Sequence, residues 1–327
     1  MDFYDIISKM SGNTINTKDK LKVSVIITTY SPCINSAAMR GQQLFNLLTQ
    51  LLRQTIPADE IIVVDQTPEY PPQIGELFKQ LDNKKIHFIA QEEPSITKAR
   101  NRGLKESKGD IIIYIDDDVR IKEDFISAHL TNYSDESIDG VCGQVLCPSQ
   151  PEPTPPLPNT LTFSYPFGFI HFPFRSSRRS ESILLVGTNF SIRKKTLFSV
   201  GGFDENLALD EDMELSWRLH CSGAHLVFDP VASVFHLEMQ EGGLSKITSL
   251  QPIPTIQHFQ SFFYYYIKSY LNKYPVHTLW HFTISFRKWI MNKSNICRPQ
   301  LLGKVLWRFI LALGKACYLI IKGPKLL

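Results

Sequence analysis

The sequence predicts an α/β fold: a doubly wound, mostly parallel central sheet followed by a helical, basic and aromatic C-terminal extension. Three observations predict it. Apolar, β-branched runs of strand length recur at 23–30, 60–65 and 111–118, each ending in polar residues. The segments between them carry helical apolar spacing. Every acidic residue lies at or before Glu241, so residues 242–327 hold 12 Lys/Arg and no acid.

The elements follow in order. Val23–Tyr30 is continuously apolar rather than alternating, which suits a parallel strand covered on both faces. Gln42–Gln54 has Leu and Phe at helical spacing and neither Gly nor Pro. Glu60–Asp65 is the second strand, and Ile74–Leu81 and Ile96–Ser107 are helices, the latter stopped by Gly109. The third strand, Ile111–Ile115, runs into Asp116, Asp117 and Asp118. Strand and helix in alternation give a parallel, doubly wound sheet. Further on, Cys147–Pro158 holds six prolines and reads as an extended connector. Phe163, Tyr165, Phe167, Phe169, Phe172 and Phe174 follow it, either stacking on an acceptor or buried in an edge strand. Asp212–Ser222 is helical, with Met213, Leu215, Trp217 and Leu219 as its apolar set. The expected organisation is an extension at 1–20, a main domain at 21–250 (halves 21–120 and 121–250), and a basic helical tail at 251–327.

In doubly wound sheets, ligands bind beyond the carboxyl ends of the strands. Here those ends carry Thr29 and Tyr30, then Asp65, then the acidic triplet. Clustered carboxylates destabilise one another's charged forms. A hard divalent cation removes that cost, and Mg²⁺ or Mn²⁺ commonly joins one or two carboxylates to substrate phosphates. The pattern therefore points to a metal and diphosphate site, against the plainer reading of a solvated acidic turn.

Other classes lose support. The six cysteines contain no Cys-x-x-Cys pair, so a zinc site is not expected. The N-terminus lacks the basic and apolar regions of a secretory signal. The first 241 residues carry 23 Lys/Arg against 32 acids, a net of −9, so the basic tail stands apart and suits an anionic partner. Within it, Lys304, Arg308, Lys315 and Lys322 share one stripe of a helix over 303–322. That run is too interrupted for a bilayer span. It fits a helix lying on an anionic membrane, or one packed on the main domain.

Eight stretches together resemble family 2 of the glycosyltransferases, inverting enzymes of the GT-A fold. They are Ser-Val-Ile-Ile-Thr-Thr-Tyr at 24–30, Leu-Leu-Arg-Gln-Thr at 51–55, Glu-Ile-Ile-Val-Val-Asp at 60–65 and Ala-Arg-Asn-Arg-Gly at 99–103. Gly-Asp-Ile-Ile-Ile-Tyr-Ile-Asp-Asp-Asp at 109–118, Gly-Thr-Asn-Phe-Ser-Ile-Arg-Lys at 187–194, Val-Gly-Gly-Phe-Asp-Glu at 200–205 and Glu-Asp-Met-Glu-Leu-Ser-Trp-Arg-Leu at 211–219 complete the set. They keep the family's order. Two departures stand out: Asp65-Gln66-Thr67 replaces the common Asp-Asp-Gly-Ser, and Ser31 stands where Asn is frequent.

The resemblance implies an enzyme using a nucleotide-sugar donor, a glycan or lipid-linked acceptor, and Mn²⁺ or Mg²⁺. Asp116 and Asp118 match the outer positions of the DxD motif, with Asp118 the more direct metal ligand. Asp117 is counted with the substrate-binding set, although strand alternation would turn it to the opposite face. His236 sits where many relatives place a histidine near the metal, or is a plain strand-end histidine. Asp65, Thr29 and Tyr30 would contact the base or ribose, Arg100 and Lys98 a phosphate, and Glu211 the substrate. Asp212 aligns with the general base. The implied setting is cytoplasmic, peripheral at the inner face of the membrane through residues 251–327, with no nucleic acid expected as partner. Two alternatives remain: a sugar nucleotidyltransferase, whose glycine-rich phosphate loop is missing from Thr28–Ser36, and a nucleic-acid-binding module using the tail.

Overall fold

The computed structural model describes residues 21–81, 85–153, 174–239, 255–291 and 297–327. The extension at 1–20, part of the proline-rich connector and the aromatics from Phe163 to Phe172 lie outside the described residues.

The first half runs β1 (Val23–Thr29), α1 (Ile34–Leu52), β2 (Glu60–Asp65), α2 (Pro72–Lys79), β3 (Ile86–Ala90), α3 (Ile96–Glu106) and β4 (Ile111–Asp116). The second half runs β5 (Val119–Ile121), α4 (Phe125–Asn132), β6 (Gly140–Leu146), β7 (Ser180–Ser182), β8 (Asn189–Arg193), α5 (Lys194–Ser199), α6 (Glu211–Cys221) and β9 (Leu226–His236). One sheet joins them in the order β3-β2-β1-β4-β8-β6-β9-β5, with β7 on β9. β1 pairs parallel with β2 and β4, as expected, and β3, a strand that the sequence reading did not anticipate, adds a parallel edge on β2. At β8 the direction reverses, antiparallel to both β4 and β6.

The continuous apolar runs follow from burial on both faces. Val25, Ile27, Ile61 and Ile113 meet Leu44, Leu47 and Leu51 of α1 on one side. Ile26, Ile62, Ile112 and Tyr114 meet Ala99 and Leu104 of α3 and Leu215 of α6 on the other. Alternate residues serve opposite layers, so the strand interiors stay apolar except at Ser24 of β1, which is buried and donates to Glu60 Oε1 at 2.6 Å.

α1 begins at Ile34, well before the expected Gln42. The added turns bury Arg40 and Gly41 rather than an apolar stripe, so hydrophobic spacing could not reveal them. Gly41 lets α1 approach α2: a Cβ there would stand 2.4 Å from Ile74 Cγ2.

The tail consists of α7 (Ile256–Tyr266), continued by a π-helical turn Ile267–Leu271, then α8 (Pro275–Trp289) and α9 (Pro299–Lys322). Its core includes Phe259, Phe263, Val305 and Ala312, and it takes in Leu207, Met213 and Trp217 from the α/β part. Trp217 of α6 meets Tyr270 with ring centroids 4.5 Å apart. The tail thus packs on the main domain, with Val305, Ala312 and Ala316 inward. The opposite side of α9 is open: Trp307 and Tyr318 are 62% exposed and Ile321 86%. No helix among the described residues is long and apolar enough to cross a membrane.

Candidate active site

β1, β2 and β4 end side by side, with Thr29 opposite Asp65 and Thr28 opposite Asp116. A cleft of about 230 Å³ opens beyond them. Thr29, Tyr30 and the acidic triplet line it from the strand ends, and Glu211, Asp212 and His236 line it from the second half.

Strand pairing stops at Asp116, and the following turn aims each acid differently. Asp117 does not continue the strand's alternation. It turns inward, accepts from Thr29 Oγ1 and pairs with Arg40. Burial pushes its carboxyl up to about 6, against the pull of Arg40. Arg40 Nη2 also lies 3.5 Å from Asp118. Asp118 then meets His236, because β5 pairs antiparallel with β9 and sets Val119 opposite His236. Nε2 of His236 stands 3.2 Å from Asp118 Oδ1. Asp116, Asp118 and His236 each offer one ligand atom, all within 4.8 Å of one another. Two carboxylate oxygens and an imidazole nitrogen this close could hold a divalent cation.

The other wall is α6. Asp210 enters it at φ 60°, a left-handed conformation that Asp tolerates better than most residues. The chain therefore turns sharply, and Glu211 and Asp212 open the helix facing the cleft. Asp212 Oδ2 accepts from the Gly187 amide at 3.0 Å. Arg100 joins the two walls: it donates to Glu211 Oε1 at 2.8 Å and to Gly187 O at 3.0 Å, and lies 3.8 Å from Asp116. Gly187 permits that approach, since a Cβ there would sit 2.8 Å from Arg100 Nη2. Burial pushes Glu211 up to about 7 despite Arg100.

Residues 24–199 match the sequence model of the family described as "Glycosyl transferase family 2". The chain belongs to that family. Curated relatives agree. A pre-mycofactocin glycosyltransferase of Mycobacterium tuberculosis is 26% identical over 177 residues, 54% of this chain and 37% of its own. A glucosyl-dolichyl phosphate glucuronosyltransferase of Haloferax volcanii is 26% identical, covering 57% of each chain. The poly-β-1,6-N-acetyl-D-glucosamine synthase of Staphylococcus aureus is 23% identical over 71% of this chain and 56% of its own. The match thus spans a third to just over half of these relatives' length. Among solved structures, S. aureus TarS 1–349 with UDP-GlcNAc superposes with a TM-score of 0.61 at 17% identity, over 90% of this chain and 82% of that one. GalNAc-T7, crystallised with UDP, GalNAc and Mn²⁺, gives 0.59 at 16% identity, over 79% and 50%. At such identities the likeness speaks for the GT-A fold.

Within this family 2 chain the expected site residues divide. Thr29, Tyr30, Arg100, Asp116, Asp117, Asp118, Glu211, Asp212 and His236 converge on the cleft. Lys98 and Asp65 are not among the residues that line it. Lys98 pairs with Glu93 at 2.5 Å, and Asp65 accepts from the Thr67 amide at 2.9 Å and Tyr70 Oη at 3.4 Å, capping its own loop. Gln66 lines the cleft beside it and ties three loops: its Oε1 accepts from Ser95 N at 2.6 Å and Gln91 Nε2 at 3.1 Å, and its Nε2 reaches Thr29 O at 3.4 Å. Sequence reasoning missed Gln66 and Arg40. The departure at Asp65-Gln66-Thr67 was the available signal for the first; nothing in the local pattern marked the second.

Proposed function

We propose that this chain transfers a glycosyl group from a nucleotide-diphosphate sugar to a hydroxyl of a glycan or lipid-linked acceptor, with inversion. One observation carries the reading: the ligand set Asp116, Asp118 and His236 shares a cleft with Asp212, across the bridge made by Arg100. Asp212 is the general base in this reading. It stands in the first turn of α6, and the Gly187 amide orients it to take the acceptor proton as the new glycosidic bond forms. Thr29 and Tyr30 hold the nucleoside side, while Asp116, Asp118 and His236 hold Mn²⁺ or Mg²⁺. A bound ion supplies Lewis-acid stabilisation of the departing diphosphate. Arg100 keeps Glu211 and Asp116 in register around it. In this division residues 21–120 bind the donor, 121–250 supply the acceptor side and the base, and 251–327 form the extension.

The test is calorimetry with nucleoside diphosphates and their sugars, with and without Mn²⁺, followed by transfer assays. Metal-dependent micromolar binding of one nucleotide supports the reading. Asp212→Asn should keep that binding and lose about 10²–10⁴-fold in transfer. Transfer within a few-fold of wild type would remove Asp212 from this role.

We also propose that the tail lies on an anionic membrane at its cytoplasmic face. Trp307, Ile310, Tyr318 and Ile321 of α9 are exposed at spacings of three, eight and three, and Lys304, Lys315 and Lys322 are exposed beside them. Each cation adds about 1 kcal/mol of attraction near such a surface. Replacing those three lysines by Gln should release the protein from phosphatidylserine vesicles at low salt. Unchanged co-sedimentation, or none by the wild type, would sink the membrane reading. A sugar nucleotidyltransferase is not favoured, since Thr28–Ser36 has no glycine loop.

A further inference from the structure

Away from the cleft, on another side of α6, the tail inserts a single cation between two buried acids. Asp204, from the Val200–Glu205 turn, and Glu214, from the first turn of α6, both have side chains with 0% exposure. Lys268 Nζ, from the π-helical turn, reaches Asp204 Oδ2 at 2.6 Å and Glu214 Oε1 at 2.7 Å. Each acid has other partners. Tyr264 Oη donates to Asp204 at 2.7 Å, and Arg218 pairs with Glu214 at 2.7 Å. Lys268 is the group that contacts both.

The placement has a geometric consequence. Glu214 lies two residues beyond Asp212 in the same helical turn, and its amide donates to Asp210 O at 3.0 Å. The direction in which Asp212 faces the cleft is therefore set by how Glu214 is held on the far side. A π-helical turn is a local widening that often accompanies function. Here it brings an ammonium into a space bounded by α6, the turn at 200–205 and Tyr264, whose ring lies 5.4 Å from Lys268 Nζ.

We propose that Lys268 is a positioning residue for the transfer reaction: it locks the first turn of α6 so that Asp212 stays aimed into the cleft. The extension thereby becomes part of the catalytic apparatus without touching substrate. This rests on the reading of Asp212 as base, so the experiment separates the two.

Lys268→Met keeps the aliphatic stem and removes the charge. In the full chain it should lower kcat for transfer about 10–100-fold, with KM and nucleoside-diphosphate affinity within two-fold of wild type. Amide hydrogen exchange over 211–216 should accelerate at least ten-fold, with β1 and β4 unchanged. If the single variant does not fold, Asp204→Asn with Lys268→Met, which removes one of the two acids left without the ammonium, carries the same measurements. Unchanged exchange over 211–216 overturns the role of Lys268 whatever Asp212 does. Loosened exchange with kcat unaltered per folded molecule shows a purely structural tie and overturns it equally. If Asp212→Asn transfers normally while Lys268→Met still loosens the turn, the fault lies with the base assignment, and Lys268 no longer positions a base.

Discussion

Two groups of acids flank α6, and they are compensated in opposite ways. At the strand ends, Asp116, Asp117 and Asp118 face two guanidiniums, Arg40 and Arg100, and the cluster stays open: the Asp116 side chain is 28% exposed and that of His236 23%. Behind the helix, Asp204 and Glu214 are closed off, and Lys268 and Arg218 reach them directly. The closed group keeps Asp204 below the usual carboxylate range: burial pushes it up, but Lys268 and Tyr264 more than offset that. The open group does the reverse with Asp117, where burial outweighs Arg40. Acids that are fully paired act as a joint. Acids left short of positive charge, with room in front of them, act as a receptor for a cation. The contrast is the physical case for placing the metal at one group and not the other.

Breaking the joint should have the largest effect. Arg218→Met removes the forked contacts to Glu214 and the donors to Val200 O and Gly202 O. Loss of one partner from a buried pair costs about 3–5 kcal/mol. Urea unfolding should register that loss; a change under 1 kcal/mol would mean the joint contributes little.

The same kind of cut in the open group should behave differently. Asp118→Asn removes one oxygen of the proposed ligand set, so Mn²⁺-dependent nucleotide binding should weaken at least ten-fold, about 1.4 kcal/mol. Yet the metal-free protein should melt no lower than wild type, because one of three crowded charges has gone. A lower Tm without metal would show that the triplet is a joint as well.

Asp210 offers the finest test, since its charged neighbour is Asp212 and it has no side-chain cap contact. Its carboxyl sits at about 6 when folded, above the ordinary value of 3.8. A raised folded pKa means the folded state binds more protons, so this residue lowers stability as pH rises from about 4 through 6. Asp210→Asn, which keeps a residue tolerant of φ 60°, should add about 0.5 kcal/mol or less at pH 7–8, because the residue is exposed and solvent screens its charge, and nothing at pH 4. A gain that persists at pH 4 would assign the effect to backbone conformation instead.

Much of this arrangement is written locally. The parallel half was legible because strands buried on two faces must be continuously apolar, and Asp116–Asp118 and Asp210–Asp212 stand out as acids at element boundaries. What the sequence concealed depends on distant pairing. Arg40 meets Asp117 across 77 positions and Lys268 meets Glu214 across 54. The stripe of Lys304, Arg308, Lys315 and Lys322 could be read from spacing, but nothing local marked Lys268, which turns inward, or Lys325, which pairs with Glu205 at 2.7 Å. Lys98 and Asp65 stand off the cleft lining, each held by a local partner, Glu93 and the Thr67 amide.

The route of β9 has a consequence for how the protein is made. His236 reaches Asp118 only because a strand at 226–236 pairs with Val119–Ile121, and β4 gains its second neighbour only from Asn189–Arg193. Contacts so far apart in sequence close slowly. A ribosome adding roughly 5–20 residues per second needs about 6–24 s to pass from Asp118 to His236. Until Asn189–Arg193 is made, one edge of an isoleucine-rich strand stands without its partner, and through the whole interval the acids are without their histidine. Chaperone dependence and aggregation during synthesis should therefore centre on β4, and the cation-binding group should be among the last features of the domain to mature.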